Sequence, residues 1–251
     1  MAKKKVKNFT KYIIGFWGIS LGTFSLIILL FLSASWGGLG ALPTFEELEN
    51  PENNLATEVI SSDGKTLGKY ATENRTPIKF KDLPQNIIEA LVATEDERFY
   101  EHSGIDFRGT TRAVLKPGSG GASTITQQLA RMLFTGQKSR NKIKRVLQKV
   151  KEWVVATKLE RQYTKNEIIA MYFNKADFIN TAVGIRSAAK VYFGKEPLDL
   201  DISESAMLIG MLKNSSLYNP RPNRNPVGVK NRRNVVLSQM YKYGFIDKVM
   251  K

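Results

Sequence analysis

The chain has 251 residues, no cysteine and one histidine, His102. This excludes disulfides, thiolate zinc sites, cysteine nucleophiles and multi-histidine metal centres. A formal net charge of +15 implies an anionic partner: nucleic acid, anionic lipid or a phosphate-bearing substrate. The length suits one sizeable domain plus an anchor, and 42% apolar residues mean that most of the chain should fold.

From Tyr12 to Trp36 there is no Asp, Glu, Lys or Arg. A run of this length can cross the hydrocarbon core as a helix. Lys3, Lys4, Lys5, Lys7 and Lys11 precede it, so the positive-inside rule places residues 1–11 in the cytoplasm as a basic tail and the rest outside. The run is longer than the apolar stretch of a signal peptide and has no clear small-residue cleavage site. The expectation is an uncleaved single-pass anchor over 12–36, with the domain at the outer face of a membrane. That placement argues against nucleic acid as the anionic partner.

Residues 37–80 form a connector. Pro43 to Asn54 is acidic and irregular, and Thr57 to Tyr70 contains two short β-type runs around Ser62-Asp63-Gly64, a hairpin signal. The domain proper, 81–251, is mainly helical in its periodicity. Pro84 opens a helix on which Ile88, Leu91, Val92, Glu95, Phe99 and His102 share one face. Glu95 thus falls in an apolar stripe. A carboxylate beside apolar surface suits a general base, although pairing with a buried arginine explains the same pattern. Asp96 reads as a local hydrogen-bonding partner.

Lys116 to Gly121 is the stretch expected to be mobile. After it, Gly121-Ala122-Ser123-Thr124-Ile125-Thr126-Gln127-Gln128 enters a helix. Thr124 and Gln127 fit a capping box, and the glycine-led helix start leaves backbone N–H groups for an anion. Capping does not require two adjacent glutamines. Ser139 to Lys158 is a basic helix. Ile143, Val146, Leu147, Val150, Trp153 and Val154 make its apolar face; Lys142, Arg145, Lys149 and Glu152 make a neighbouring stripe. A row of cations ending in one carboxylate can hold a diphosphate beside an acid, or can be a solvated face. Ser203 to Tyr243 reads as two helices separated by Asn214 to Pro226.

Together these segments resemble the peptidoglycan glycosyltransferases, the family of the membrane-proximal module of class A penicillin-binding proteins and of monofunctional transglycosylases. Glu95 to Gly104 resembles the first family motif, with Asp96, Phe99, His102 and Gly104 as its structural members. Gly121 to Gln128 resembles the second, and Lys149 to Glu152 the end of the third. Tyr163 to Asn174 resembles the fourth, and Gly184 to Gly194 the fifth. Four positions depart from the pattern: Ala122 for Gly, Arg131 for Lys, Gln148 for Arg and Phe173 for Leu. The segment between Phe134 and Lys149 is longer than usual, which leaves open whether Arg140, Lys144 or Arg145 contacts phosphate. Two SxxK matches, at Ser139 and Ser187, lack a following KTG and read as chance.

The resemblance implies a lysozyme-like α-helical fold with a small membrane-embedded jaw. It implies polymerisation of lipid II into β-1,4 glycan with inversion, releasing undecaprenyl diphosphate. Glu95 would be the base. Glu152 would orient Lys149 or help bind a divalent cation, and Ser123, Gln128, Arg131, Lys149 and Arg145 would hold the substrate. The implied chemistry leaves room for Mg²⁺ or Mn²⁺ and needs no organic cofactor. Expected partners are lipid II, the growing glycan strand, membrane lipid and other cell-wall synthesis proteins. Two alternatives carry over from the residues alone: a lysozyme-like glycan hydrolase and a non-catalytic basic module on anionic lipid. A further alternative is that the chain is the front half of a bifunctional penicillin-binding protein.

Overall fold

The computed structural model describes residues 9–38, 57–63, 66–70, 77–116, 123–136, 139–221 and 225–247. The basic tail before residue 9, the acidic segment Pro43 to Asn54, Gly64, and the glycine-rich segment with Gly121 and Ala122 lie outside them.

Helix α1 (Thr10–Ser35) contains the expected apolar run, with a mean hydropathy of 2.2. At 26 residues it is about 39 Å long, enough to cross a bilayer. Its side chains are largely exposed; Ala34 is an exception. The hairpin follows as β1 (Thr57–Ile60) and β2 (Thr66–Tyr70). The strands pair antiparallel from Thr57 with Tyr70 to Ile60 with Thr66, and an irregularity between Val59 and Ile60 shifts the register.

The rest of the described chain is mainly helical, as the periodicity predicts. α2 (Gln85–Glu95) starts after Pro84 and buries Ile87, Ile88, Leu91 and Val92. α3 (Phe107–Leu115) is capped by Asp106, and α4 (Ile125–Ala130) by Thr124. A single π-turn, Arg131–Thr135, continues α4. The long α5 (Lys142–Gln162) is capped by Asn141. α6 (Lys165–Lys175) begins in a full capping box between Thr164 and Glu167. α7 (Ile185–Phe193), α8 (Ile202–Met211) and α9 (Pro226–Lys242) complete the domain.

α2, α8 and α9 pack on one another, while α4 packs against α5 and α6. The shared core includes the fully buried Phe99, Ile125, Leu129, Leu159, Tyr172, Phe173 and Phe178. The Phe173 that stands where the family has Leu is thus a core aromatic. Asn174 clips the chain before α2 to α6: its amide accepts from the Ile78 N–H at 2.8 Å and donates to the Ile78 carbonyl at 3.0 Å.

Two expectations need correction. The stripe from Ile88 to His102 is not one helix face. α2 ends at Glu95, Phe99 sits in the 3₁₀ turn Phe99–Glu101, and His102 is extended. The cause is Asp96, whose carboxylate leaves the helix path to serve α4. The apolar face of α5 also divides. Val150 is buried, but Ile143 and Val146 in its first turns are exposed, at 74% and 60%.

Asp106 ties the first motif to α3. It accepts from the Gly109 N–H at 2.9 Å and pairs with Arg98 at 2.5 Å. Burial pushes the Asp106 carboxyl up, but the Arg98 hydrogen bond, the Gly109 N–H and the Arg98 charge outweigh it, so its pKa lies below the ordinary 3.8. A carboxyl depressed on folding contributes stability above its unfolded pKa, and that contribution is lost as pH falls through the folded value. Asp106→Asn should therefore lower stability by about 1 kcal/mol at pH 7. The gap from wild type in thermal melts should close below pH 3.8.

Candidate functional site

The site is built around the N-terminus of α4. Asp96, 7% exposed, accepts from the Ile125 N–H at 3.0 Å and from His102 Nε2 at 3.0 and 3.1 Å. This serves one of the N–H groups that a helix start leaves without a partner. The Gly104 carbonyl accepts from Thr124 Oγ1 at 2.8 Å and from Gln127 Nε2 at 3.1 Å. Thr124 caps the Gln127 N–H, but the Gln127 side chain does not return the bond to Thr124. The expected capping box is half formed because Gln127 is committed elsewhere.

Lys165 fastens the same segment from α6. Its ammonium donates to the His102 carbonyl at 2.6 Å and to Glu160 at 2.8 Å, and lies 4.3 Å from the centre of the Phe99 ring. Thr126 donates to the same Glu160 at 2.5 Å. Asp96, Phe99, His102 and Gly104 are therefore scaffold. Gly104 has φ +87°, and a Cβ there would lie 2.9 Å from the Ala156 carbonyl oxygen. Gly104→Ala should cost about 2–3 kcal/mol, readable as a drop of several degrees in Tm.

The adjacent glutamines look in two directions. Gln128 Nε2 donates to Glu95 Oε2 at 2.8 Å, and its own Oε1 accepts from the Tyr172 hydroxyl at 3.3 Å. Tyr172 is fully buried. Burial first, and then the Glu95 charge, push its pKa far up, with Arg131 opposing. Its hydroxyl thus remains a donor and fixes the Gln128 amide. Glu95, at the last residue of α2, is 18% exposed, with Arg232 of α9 at 4.0 Å. It is not sunk in the core, as the periodicity implied, but stands at its edge, open to a substrate.

Gln127 faces Lys149. The Lys149 ammonium donates to Ser123 Oγ and Gln127 Oε1 at 2.8 Å each, and to Glu152 Oε2 at 3.0 Å. Glu152 is 3% exposed. A cavity of about 430 Å³ opens beside this cluster, lined by Ser123, Arg131, Lys142, Arg145, Lys149 and Glu152, with Val146 and Gln148. The stripe expected on α5 is therefore one wall of a cavity. Arg145 lines it; Arg140 and Lys144 are not among its lining residues. Gln148 explains its own departure from the family pattern. It donates to the Thr135 carbonyl at 3.2 Å and accepts from the Ser139 N–H at 3.1 Å, holding these two residues to α5.

Glu95 does not line this cavity. The consecutive glutamines of α4 link the Glu95 carboxylate to the Lys149 ammonium of the cationic wall. The π-turn that begins at Arg131 directs another cation to the wall, a local irregularity common at functional sites. Among the described residues no group of three His, Cys, Asp or Glu side chains could hold a metal ion. The one carboxylate in the cavity lining, Glu152, is already bound by Lys149. These donors do not fit a resident cation.

Sequence reasoning missed Arg232, Tyr172, Lys165 and Glu160. The last three fall in or beside motif segments but carried no assigned role. Arg232 is 137 positions from Glu95, and no local pattern connects them.

The arrangement joins one partly exposed carboxylate, Glu95, to a wall of fixed cations through the start of α4. The family model for transglycosylases matches residues 63–241, and the chain belongs to that family. Penicillin-binding protein 1A of Pseudomonas aeruginosa is 41% identical over 214 residues, covering 83% of this chain and 25% of that protein. Penicillin-binding protein 1F of Bacillus subtilis is 38% identical over 201 residues, covering 77% and 27%. A crystal structure of penicillin-binding protein 1A from Haemophilus influenzae aligns with TM-score 0.44 and 26% identity, over 78% of this chain and 20% of that one. The chain thus spans about a quarter of the length of these curated relatives.

Proposed function

We propose that the chain is a peptidoglycan glycosyltransferase that polymerises lipid II into β-1,4 glycan and releases undecaprenyl diphosphate. The observation that carries this reading is the shared α4: Gln128 holds Glu95, and Gln127 and Ser123 hold Lys149 beside the cationic cavity. Glu95 takes the proton from the acceptor 4-hydroxyl, and the oxygen attacks the donor anomeric carbon from the opposite face. The bond to the diphosphate breaks with inversion. Lys149, Arg131 and Arg145 stabilise the charge that gathers on the leaving diphosphate. Ser123 and Gln128 contact substrate, and Glu152 orients Lys149. Mg²⁺ or Mn²⁺ would enter with the diphosphate of the substrate. A hydrolase has no diphosphate to hold, so it leaves the cationic wall unexplained.

The same reading accounts for a set of exposed apolar side chains. Ile143 and Val146 on α5, with Phe107 and Leu115 on α3, are exposed at 60% or more. They form the membrane-dipping jaw of the proposed enzyme, with α1 spanning the bilayer and its N-terminus in the cytoplasm. Incubation of the detergent-purified chain with labelled lipid II and Mg²⁺ tests the proposal. The expected product is long glycan that a muramidase digests; a folded, lipid-bound chain that makes no polymer would overturn it.

A further inference from the structure

A second cavity, of about 400 Å³, lies between α1 and α5 and shares no residue with the first. Ile28, Phe31 and Leu32 supply its α1 wall. Trp153, Val154, Lys158 and Arg161 line it from α5. Phe31 stacks on Trp153 with ring centres 5.9 Å apart, which fixes α1 against the domain. Because these α1 residues end the apolar run, the groove opens where a bilayer passes from acyl chains to headgroups.

Its chemistry is divided. The α1 side is aliphatic and aromatic. Lys158 and Arg161 are one turn apart on α5 and share a face; among the described residues neither has a carboxylate partner. Trp153 Nε1 is shut off from water and has no acceptor among the described residues. An unmet buried donor is costly, so a ligand that brings an oxygen acceptor is favoured there.

We propose that this groove binds one anionic glycerophospholipid from the surrounding membrane. Its phosphate lies between Lys158 and Arg161. A small turn of the Trp153 indole on lipid entry brings Nε1 to an ester carbonyl, which accepts from it, and an acyl chain runs along Ile28, Phe31 and Leu32. The ester distinguishes this lipid from an isoprenyl diphosphate, which has no carbonyl to offer the indole. The stripe that forms this site (Trp153, Thr157, Lys158, Arg161) is separate from the stripe that lines the first cavity. The bound lipid would bridge α1 and α5 and hold the catalytic domain at a set height on the membrane.

The test is native mass spectrometry of the full-length chain released from micelles holding equal amounts of phosphatidylglycerol and phosphatidylcholine. Wild type should retain one phosphatidylglycerol with about thirty-fold preference, the effect of two interfacial cations. Lys158→Gln/Arg161→Gln should fall to parity between the two lipids, with its melting temperature unchanged. Trp153→Phe keeps the stacking but removes the N–H, and should lose retention several-fold. Equal retention of both lipids by wild type would overturn the proposal. So would undiminished preference in the double variant, or one-for-one displacement of phosphatidylglycerol by a short isoprenyl diphosphate. None of these readouts depends on glycan synthesis, so they stand apart from the proposed enzymatic activity.

Discussion

Glu95→Gln should lower lipid II polymerisation by about three orders of magnitude, within the range that a positioned general base contributes. The melting temperature should stay within a degree or two of wild type. The reason is local: Gln128 Nε2 donates to Glu95 Oε2 at 2.8 Å, and a glutamine carbonyl accepts that bond equally well. What the variant cannot do is take a proton. Arg232, 4.0 Å from the carboxylate, loses a charged neighbour, but a pair at that distance with both groups partly exposed contributes little. Substrate binding should survive, because Glu95 is not among the residues that line the cationic cavity. Single-turnover product analysis together with lipid II binding checks both halves. Turnover within ten-fold of wild type would remove Glu95 from the role of base.

A companion change separates the carboxylate from its orientation. Gln128→Leu removes the amide that joins Tyr172 to Glu95 but leaves the acid in place. Its loss should be partial, and smaller than that of Glu95→Gln.

The helical stripes were legible in the sequence because they are local. Lys142, Arg145, Lys149 and Glu152 follow from the period of an α-helix, and the cavity lies where that stripe points. The failures share one physical cause: a polar side chain whose partner is far along the chain. Asp96 ends α2 because its carboxylate has a better use 29 residues away, at the Ile125 N–H. A periodicity argument sees only α2 and extends the helix through Phe99 to His102. Gln127 fits a capping box by spacing, yet its amide is taken by the Gly104 carbonyl and Lys149. Ile143 and Val146 show a different limit. Periodicity reports that a face is apolar but not whether protein or lipid covers it.

Lys149 both neutralises the buried Glu152 and lines the cationic cavity. Its ammonium has three protons, and they already serve Ser123, Gln127 and Glu152. Removing it leaves Glu152, 3% exposed, as an uncompensated buried charge, which costs about 3 kcal/mol or more. Lys149→Met should therefore reduce both Tm and turnover, the latter by about 10²–10³-fold, as for the loss of one preorganised electrostatic contact to a leaving group. A merely structural lysine would give the same pair of losses. Lys149→Met/Glu152→Gln distinguishes the two, because it removes the stranded charge along with its partner. The double variant should recover most of the lost Tm and none of the lost turnover. If turnover returns with stability, Lys149 serves only to neutralise Glu152. The diphosphate would then have to be held by Arg131 and Arg145 alone.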